Sequence, residues 1–276
     1  MAAGLACCSN IDESERLEVV NVSVHTDSIP GMDEADSLYD APVKVVERRI
    51  LIEDHTGQKC PNCPDATKII HNLQLFYGSC IIPVAIHSQA QGIMEPEGLG
   101  TELGNTYYKN WKLEYKPAGL INRIDGGDGV VLDKTIWTVA VQFILEDTTP
   151  DPLDIRVKAR RQADNPRQAD IDVKVIATTD TPVGGMLQVW ITEDNIVARQ
   201  DSMSVTINDY VHNHVLRASA NGIMGEDVAV RALGDTREFH YTVPLSEAWK
   251  PEDISIVAFV YNDDGVVQTT KSKLKQ

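Results

Sequence analysis

Two cysteines separated by two residues, Cys60 and Cys63, are the side chains best suited to chemistry in this chain of 276 residues. A thiolate can attack a disulfide, form a mixed disulfide and be released by a second, resolving thiol. At this spacing Cys60 would be the nucleophile and Cys63, one helical turn later, the resolving thiol. Half of a structural zinc site has the same spacing, but no second Cys or His pair at usable spacing lies nearby. A structural disulfide without a redox role stays open as the alternative.

The elements around this pair determine how it would behave. The β-rich segment 50–52 predicts a buried strand that leads into the cysteine loop. Apolar residues at three-to-four spacing over 66–76 predict an amphipathic helix with the cysteine pair at its start. The unsatisfied N–H groups at the start of that helix would stabilise a thiolate. Residues 81–86 predict a second strand, and Cys80, just before it, is expected to be a buried free thiol.

A proline and a hairpin follow in the same half of the chain. Pro117 precedes a predicted strand over 118–124, and a return strand follows at 130–132. The Gly-rich residues 125–129 between them lack the spaced oxygen ligands of a calcium loop and predict a hairpin turn. Residues 135–146 then have the period of a helix.

The order strand, Cys-x-x-Cys, helix, strand, proline, hairpin and helix resembles that of thioredoxins. The resemblance implies a cis peptide bond before Pro117, beside the cysteine pair. It also implies a buried acid that assists deprotonation of the second cysteine, and Asp54, six residues before Cys60, occupies that position. Glu53 would fill the role if the strand faces were reversed. Cys60, Cys63, Pro117 and Asp54 are therefore candidate catalytic residues, conditional on redox activity.

The second half of the chain has a different pattern. Residues 148–152 read Thr-Thr-Pro-Asp-Pro and predict a domain boundary, because proline removes backbone donors and interrupts helical and strand patterns alike. Beyond this point the pattern predicts short strands separated by turn residues, which is typical of a β-sandwich. The predicted strands are 153–158, 171–178, 186–192, 205–207, 237–243 and 254–261.

The N-terminal residues Leu5-Ala6-Cys7-Cys8 resemble the lipobox of bacterial lipoproteins, in which a cysteine after small residues receives diacylglycerol. Aligned on that pattern, Cys8 is the modified residue. Cys7 is the fallback, since a cysteine just before the modified position departs from the usual Gly, Ala or Ser. The acidic residues that follow predict a solvated tether, so residues 1–43 form a lipoprotein N-terminus and acidic tether. A cytosolic N-terminus with two chance cysteines is the alternative.

The charge balance excludes one class of partner. Lys and Arg number 25 against 41 Asp and Glu, which gives a net charge of −16. Such a field repels phosphate backbones, so we expect no nucleic-acid partner. The chain has no apolar run long enough to cross a bilayer as a helix, and membrane attachment is expected through the N-terminal lipid. No P-loop, Rossmann glycine pattern or Ser-His-Asp order is present, so no cofactor is expected.

Two histidines near residue 213 form one further candidate metal site. His212 and His214 are two residues apart, so on a strand they would share a face and could bind a metal. The sequence offers no third ligand, and a structural role with hydrogen bonds to the backbone is preferred. No metal site is therefore expected.

Three segments together resemble the twenty-eight-kilodalton outer-membrane lipoprotein family of Porphyromonas and Bacteroides. Residues 50–64 read Ile-Leu-Ile-Glu-Asp-His-Thr-Gly-Gln-Lys-Cys-Pro-Asn-Cys-Pro, close to the family's Ile-Glu-Glu-Phe-Thr-Gly-Gln-x-Cys-x-Asn-Cys-Pro. Residues 117–123 read Pro-Ala-Gly-Leu-Ile-Asn-Arg, and residues 210–217 read Tyr-Val-His-Asn-His-Val-Leu-Arg, both similar to family segments. The likeness covers about residues 44–276. The departures are His55, where the family prefers an aromatic residue, and the doubled cysteine of the lipobox.

This resemblance implies a fold class of α/β plus all-β. A thioredoxin-like domain over 44–150 would be followed by an immunoglobulin-like β-sandwich over 151–276. It also implies a location in the outer membrane and a binding, adhesion or receptor role, with a protein partner or host ligand on the β-sandwich. The rival hypothesis is an envelope thiol–disulfide oxidoreductase that uses Cys60 and Cys63, so the sequence leaves open whether the protein is an enzyme.

Overall fold

The computed structural model describes residues 39–41 and 46–276. In the first part of the chain, strands and helices alternate around the cysteine pair. In chain order they are β1 (Ile50–Thr56), α1 (Cys63–Tyr77), β2 (Ile81–His87), α2 (Glu102–Asn110), β3 (Ala118–Ile121), β4 (Leu132–Asp133) and α3 (Trp137–Glu146). The predicted order of elements is present, although the hairpin strands β3 and β4 are shorter than the sequence indicated.

The described chain after α3 consists of strands joined by turns. They are β5 (Leu153–Arg161), β6 (Gln168–Ala177), β7 (Val183–Glu193), β8 (Ile196–Ser202), β9 (Val205–His212), β10 (Val215–Ser219), β11 (Glu226–Val230), β12 (Thr236–Pro244), β13 (Ile254–Asn262) and β14 (Gly265–Lys273). The molecule is thus rich in β-structure with few helices, as the sequence predicted. Four strands, β8, β10, β11 and β14, were not predicted. None of the described helices has the length and apolar character needed to cross a bilayer.

One large sheet contains strands from both parts of the chain. Its order is β14-β13-β7-β10-β2-β1-β3-β4, and β11 pairs with β7 beside this path. Strands β1 and β2 are parallel, as expected when a helix such as α1 connects them. The two parts of the chain meet where β10 pairs with β2, at Val215 and Ala85.

Each face of this sheet is covered. Alternate residues of β1, Ile50 and Ile52, pack with α1 and α3 in a core that also contains Ile70, Leu73 and Trp137. Strands of a sheet that is covered on both faces are apolar at nearly every position, which explains the continuous apolar run of β1.

The opposite face of the sheet carries a core that both parts of the chain share. Leu51 and Ile82 come from the first part, and Trp190, Val257 and Phe259 come from β7 and β13. Tyr107 of α2 covers this face, and its hydroxyl accepts a hydrogen bond of 3.0 Å from the indole nitrogen of Trp190.

A third core lies between the large sheet and a smaller one. Strands β12, β6 and β5 form a three-stranded antiparallel sheet, and their inward residues pack against β7 and β13. This core includes Ile155, Val173, Val189, Ile256 and Ala258, all of them buried. The second part of the chain therefore has two layers of strands around an apolar core. The predicted domain boundary at 148–152 lies in the link between α3 and β5, and the division into two domains stays a prediction.

Candidate functional site

The cysteine pair lies where the sequence placed it, at the start of the helix that follows β1. Cys60 and Cys63 are joined by a disulfide, and Cys63 is the first residue of α1. Pro64 occupies the first turn, where a missing N–H leaves no hydrogen bond unmade. Each cysteine is only 1% exposed. The disulfide is therefore formed and covered.

The loop that carries Cys60 is held against a neighbouring loop by its backbone. The N–H of Lys59 donates to the carbonyl of Gln91 at 2.8 Å. A Cβ at Gly57 would lie 2.3 Å from the carbonyl oxygen of Gln91. Only glycine permits this approach, which explains the glycine at position 57.

Asp54 is on the same face of the sheet as the disulfide. Successive residues of a strand point to opposite faces, and Asp54 shares the face of Ile50 and Ile52, which pack with α1. Its side chain is buried, and its Oδ1 atom has no hydrogen-bond partner within the described part of the chain. Burial raises the pKa of Asp54 to about 7, although the nearby positive charge of Lys116 acts to lower it.

Glu53, the alternative acid, points to the other face. Its carboxylate accepts hydrogen bonds from Arg123, at 2.5 Å from Nε and 3.2 Å from a terminal nitrogen. The Arg123 guanidinium lies 4.3 Å from the ring centre of Tyr261 and 5.0 Å from that of Phe259. Glu53 therefore belongs to a buried ion pair inside the shared core, and not to the cysteine site.

The peptide bond between Lys116 and Pro117 is cis. The buried ammonium of Lys116 donates to Ser88 Oγ at 2.8 Å and also to the carbonyl of Thr56. Burial lowers the pKa of Lys116 to about 7, although the negative charge of Asp54 acts to raise it. Sequence reasoning missed Lys116, and its position just before Pro117 was the signal that could have found it.

A hairpin from the second part of the chain covers the disulfide. Strands β8 and β9 pair only with each other in the described sheets. The backbone N–H of Asp201 donates to the carbonyl of Gln58 at 2.7 Å, and that of Met203 donates to the carbonyl of Pro61 at 3.1 Å. The side chain of Gln200 donates to the carbonyl of Cys60 at 3.0 Å. Strand β8 was not predicted, and the covering of the disulfide by this hairpin was therefore not expected.

Histidines line the underside of the hairpin. The rings of His87, at the end of β2, and His212, at the end of β9, lie 5.5 Å apart between centres. Burial lowers the pKa of His212 to about 4 and that of His87 well below its usual range. Tyr210 stacks edge-on against His212, with 4.8 Å between ring centres. Both histidines are therefore neutral beneath the hairpin.

The expected common face for His212 and His214 is not observed. The chain leaves the strand after His212, and His214 has a backbone φ of 59°. The His214 ring instead contacts Asp194 at 3.0 Å and Lys271 at 3.2 Å. No group of three or more His, Cys, Asp or Glu side chains able to hold a metal ion occurs in residues 39–41 and 46–276.

The structure also shows the surroundings of the Gly-rich turn at 125–129 and of Cys80. Asp125 Oδ1 accepts hydrogen bonds from the N–H groups of Gly127 and Gly129 at 2.8 and 2.9 Å, so this carboxylate is occupied by the turn. Cys80 is buried but takes part in a disulfide, so the expectation of a free thiol was wrong. Cys7, Cys8 and most of the tether lie outside the described residues.

Outside the disulfide region, the smaller sheet has a charged outer face with an open cavity of about 580 Å³. Basic and acidic residue types alternate across its strands, because Lys158 lies opposite Asp172 and Asp172 lies opposite His240. The cavity is lined by Lys158, Arg160, Arg161, Asp170, Asp172 and His240.

The segment 39–41 lies against the same outer face. Tyr39 packs under the ammonium of Lys174, which lies 4.2 Å from the ring centre. Lys174 also pairs with Asp40 at 2.8 Å, and Arg156 donates to backbone carbonyls of Tyr39 and Ala41. The C-terminal end of the predicted tether is thus fixed to the smaller sheet.

Comparison with known proteins identifies similar sequences and folds. A family model described as outer membrane protein Omp28 matches residues 104–276. The structure of HBP35 of Porphyromonas gingivalis is similar over 82% of this chain and 75% of that chain, with a TM-score of 0.65 and 14% identity. A domain of the outer membrane lipoprotein Omp28 from Porphyromonas gingivalis is 24% identical, over 47% of this chain and 94% of that chain, with a TM-score of 0.34. No curated protein sequence matches.

Proposed function

Because the chain belongs to the Omp28 family of outer membrane proteins, we propose that it is a lipid-anchored lipoprotein with a binding, adhesion or receptor role. Its location is the outer membrane. The proposed anchor is a lipid on Cys8, with Cys7 as the fallback. Mass spectrometry of the N-terminal peptide from protein purified from membranes tests this. Cys8→Ser is expected to release the protein from membranes, whereas the matched variant Cys7→Ser should stay attached.

The burial of the disulfide is the observation that favours a binding role over catalysis. A constitutive oxidoreductase needs an accessible sulfur for the attacking thiolate, and Cys60 and Cys63 are each 1% exposed beneath the β8–β9 hairpin. In the proposed function the disulfide stabilises the start of α1. By closing a loop of only four residues it contributes about 2 kcal/mol.

We further propose that residues 44–150 form a thioredoxin-like domain. The order β1, Cys-x-x-Cys, α1, β2, cis-Pro117 and the β3–β4 hairpin supports this proposal. Residues 151–276 are read as an immunoglobulin-like sandwich, supported by the two strand layers around their core.

We place the contact with a protein partner or host ligand on the charged outer face of β5, β6 and β12. The open cavity there offers cationic and anionic groups side by side, which fits a polar or charged protein surface. Cells displaying the protein should adhere to immobilised extracellular-matrix proteins. The double variant Arg161→Ala/His240→Ala should reduce adhesion at least threefold. Arg237→Ala, on the same strand β12 but outside the cavity lining, is the matched control. Equal adhesion by both variants would contradict this placement.

The double variant Cys60→Ser/Cys63→Ser tests the structural role of the disulfide. It should unfold at lower urea concentration than the native protein, and neither protein should accelerate insulin reduction by dithiothreitol. Catalysis of insulin reduction by the native protein, lost in the variant, would contradict the proposal.

Thiol–disulfide exchange is the second candidate, favoured by one specific arrangement. Asp54 lies on the disulfide face with a pKa of about 7, and cis-Pro117 follows its charged neighbour Lys116. In this alternative Cys60 acts as nucleophile, Cys63 resolves, and Asp54 takes the proton from Cys63. The insulin assay separates the two candidates, and Asp54→Asn should then reduce the rate most strongly above pH 7.

A further inference from the structure

The β8–β9 hairpin lies across the Cys60–Cys63 disulfide without joining the large sheet or the three-stranded sheet. We propose that this hairpin is a lid that closes over the disulfide and has to open before an external thiol can react with it. The inference goes beyond the proposed function, because it concerns when the disulfide becomes reactive and not what the protein binds.

Most of the hydrogen bonds that hold the lid lie between the end of the hairpin and the disulfide loop, and Tyr210 bonds to Thr67 of α1 farther along β9. Gln200 donates from Nε2 to the carbonyls of Gly57 and Cys60, at 3.2 and 3.0 Å. Gln58 donates back to the carbonyl of Arg199 at 3.1 Å. With the two backbone hydrogen bonds from Asp201 and Met203, these bonds fasten the end of the hairpin to the disulfide loop. Gln200 donates two of these hydrogen bonds and lies at the centre of the contact between the lid and the disulfide loop.

Opening the lid would expose little new apolar surface. In β8 and β9, only Gln200 and His212 are buried. Apolar side chains on the hairpin already face solvent, with Val197 62%, Val205 59% and Met203 73% exposed. Segments with few buried apolar contacts open locally at lower free energy than the core. The hairpin therefore has the burial expected of a segment that detaches while the rest stays folded.

The closed lid also leaves polar groups unsatisfied. Asp54 Oδ1 and both ring nitrogens of His87 are buried without a hydrogen-bond partner in the described part of the chain. A buried polar group without a partner is unfavourable, and water that entered as the lid opened would hydrate these atoms. Hydrogen bonds therefore stabilise the closed lid, and the unpaired buried polar groups destabilise it.

The chemistry that the open lid would permit is ordinary thiol–disulfide exchange. A thiolate of an external dithiol attacks Sγ of Cys60, the Cys60–Cys63 bond breaks, and its electron pair remains on Cys63, which takes up a proton. The second thiol of the reductant, as a thiolate, then attacks the mixed disulfide and releases Cys60, which is protonated in turn. Two electrons and two protons pass from the dithiol, which becomes a disulfide.

The test measures how fast dithiothreitol reduces the Cys60–Cys63 disulfide in the folded full chain. Free thiols are trapped with iodoacetamide at intervals, and mass spectrometry quantifies the peptide that carries both cysteines. Gln200→Ala should accelerate reduction at least tenfold. The matched control Gln162→Ala removes a hydrogen bond to Asp170, on the edge of the smaller sheet, and should change the rate less than twofold. Equal rates for the two variants would overturn the proposal.

Hydrogen exchange of the native protein gives a second measurement that does not depend on a variant. Amides of residues 196–212 should exchange at least tenfold faster than those of β5 and β6 under native conditions. Protection of the hairpin equal to that of β5 and β6 would show that it opens only with the whole molecule, and would also overturn the proposal.

Discussion

Two adjacent acids, Glu53 and Asp54, have opposite environments because successive side chains of a strand point to opposite faces. Glu53 is paired with Arg123 in the shared core, whereas Asp54 lies on the disulfide face with an unpaired oxygen. The sequence could name both acids but not choose between them. That choice depends on which face α1 covers, and α1 reaches β1 only through tertiary packing.

Asp54→Asn should change how the free energy of unfolding depends on pH. The pKa of Asp54 is about 7 in the folded protein and near 3.8 when unperturbed, so the native state binds the proton more tightly. Stability contributed by this proton is therefore present below about pH 4 and lost as pH rises towards 7. The asparagine variant lacks this loss, so it should gain stability relative to the native protein by up to about 4 kcal/mol over that range.

Urea unfolding at pH 4.5 and pH 7 measures this difference. The pKa of Lys116 is lowered to about 7 and depends on the charge of Asp54, so Lys116→Met is measured alone and together with Asp54→Asn to separate the two groups. Asp263→Asn, at an exposed turn, is the control and should leave the pH dependence unchanged. If the free energy of unfolding depended on pH equally in Asp54→Asn and in the native protein, Asp54 would be ionised in the folded state.

Arg123→Met should destabilise the protein by about 3–5 kcal/mol, because it leaves the buried carboxylate of Glu53 without its partner. The double variant Glu53→Gln/Arg123→Met removes the charge as well and should recover more than half of that loss. Urea unfolding measures both. Arg237→Ala, which removes a more exposed pair with Asp235, should cost less than about 1 kcal/mol. A loss in Arg123→Met no larger than in Arg237→Ala would contradict the importance of the buried pair.

At the scale of elements, the local signals were sufficient for the cysteine loop and insufficient for its cover. Helix α1 has an apolar period and a proline in its first turn, and both are properties of neighbouring residues. Strand β8 contains Arg199, Gln200 and Asp201 in succession, which gives no apolar alternation. Its position over the disulfide depends on hydrogen bonds to residues about 140 positions earlier, and such pairing leaves no local pattern.

Gly57→Ala tests the close approach that holds the cysteine loop in place. A methyl group there would lie 2.3 Å from the carbonyl oxygen of Gln91, so one of the two loops would have to move. We expect a loss of about 1–3 kcal/mol in the free energy of unfolding, together with faster reduction of the disulfide. Gly184→Ala, where the nearest atom lies 4.0 Å away, is the control for the loss of glycine. A Gly57→Ala variant as stable as Gly184→Ala would contradict this reading of the loop.

At the scale of the whole molecule, the large sheet crosses the boundary that the prolines at 148–152 predicted. Composition and proline placement describe where the chain changes character, and they could not show that β10 pairs with β2. That contact joins residues 130 positions apart. The shared core adds Trp190, Val257 and Phe259 of the second part to Leu51 and Ile82 of the first. The two parts therefore stabilise each other, whether or not each is counted as a domain.

This coupling predicts the behaviour of a fragment. Residues 46–150 alone would expose the face of β1 and β2 that Trp190 and Phe259 cover, and would leave the edge of β2 that faces β10 unpaired. Exposing that apolar surface destabilises the fragment by about 25 cal/mol for each Å². The free energy of unfolding of a small domain is low enough that such a loss can unfold it. We expect the fragment to bind a hydrophobic dye and to unfold without a cooperative transition. Residues 46–276 should unfold in a single transition reported equally by Trp137 and Trp190. A well-dispersed NMR spectrum and cooperative unfolding of the fragment would instead show that the first part folds on its own.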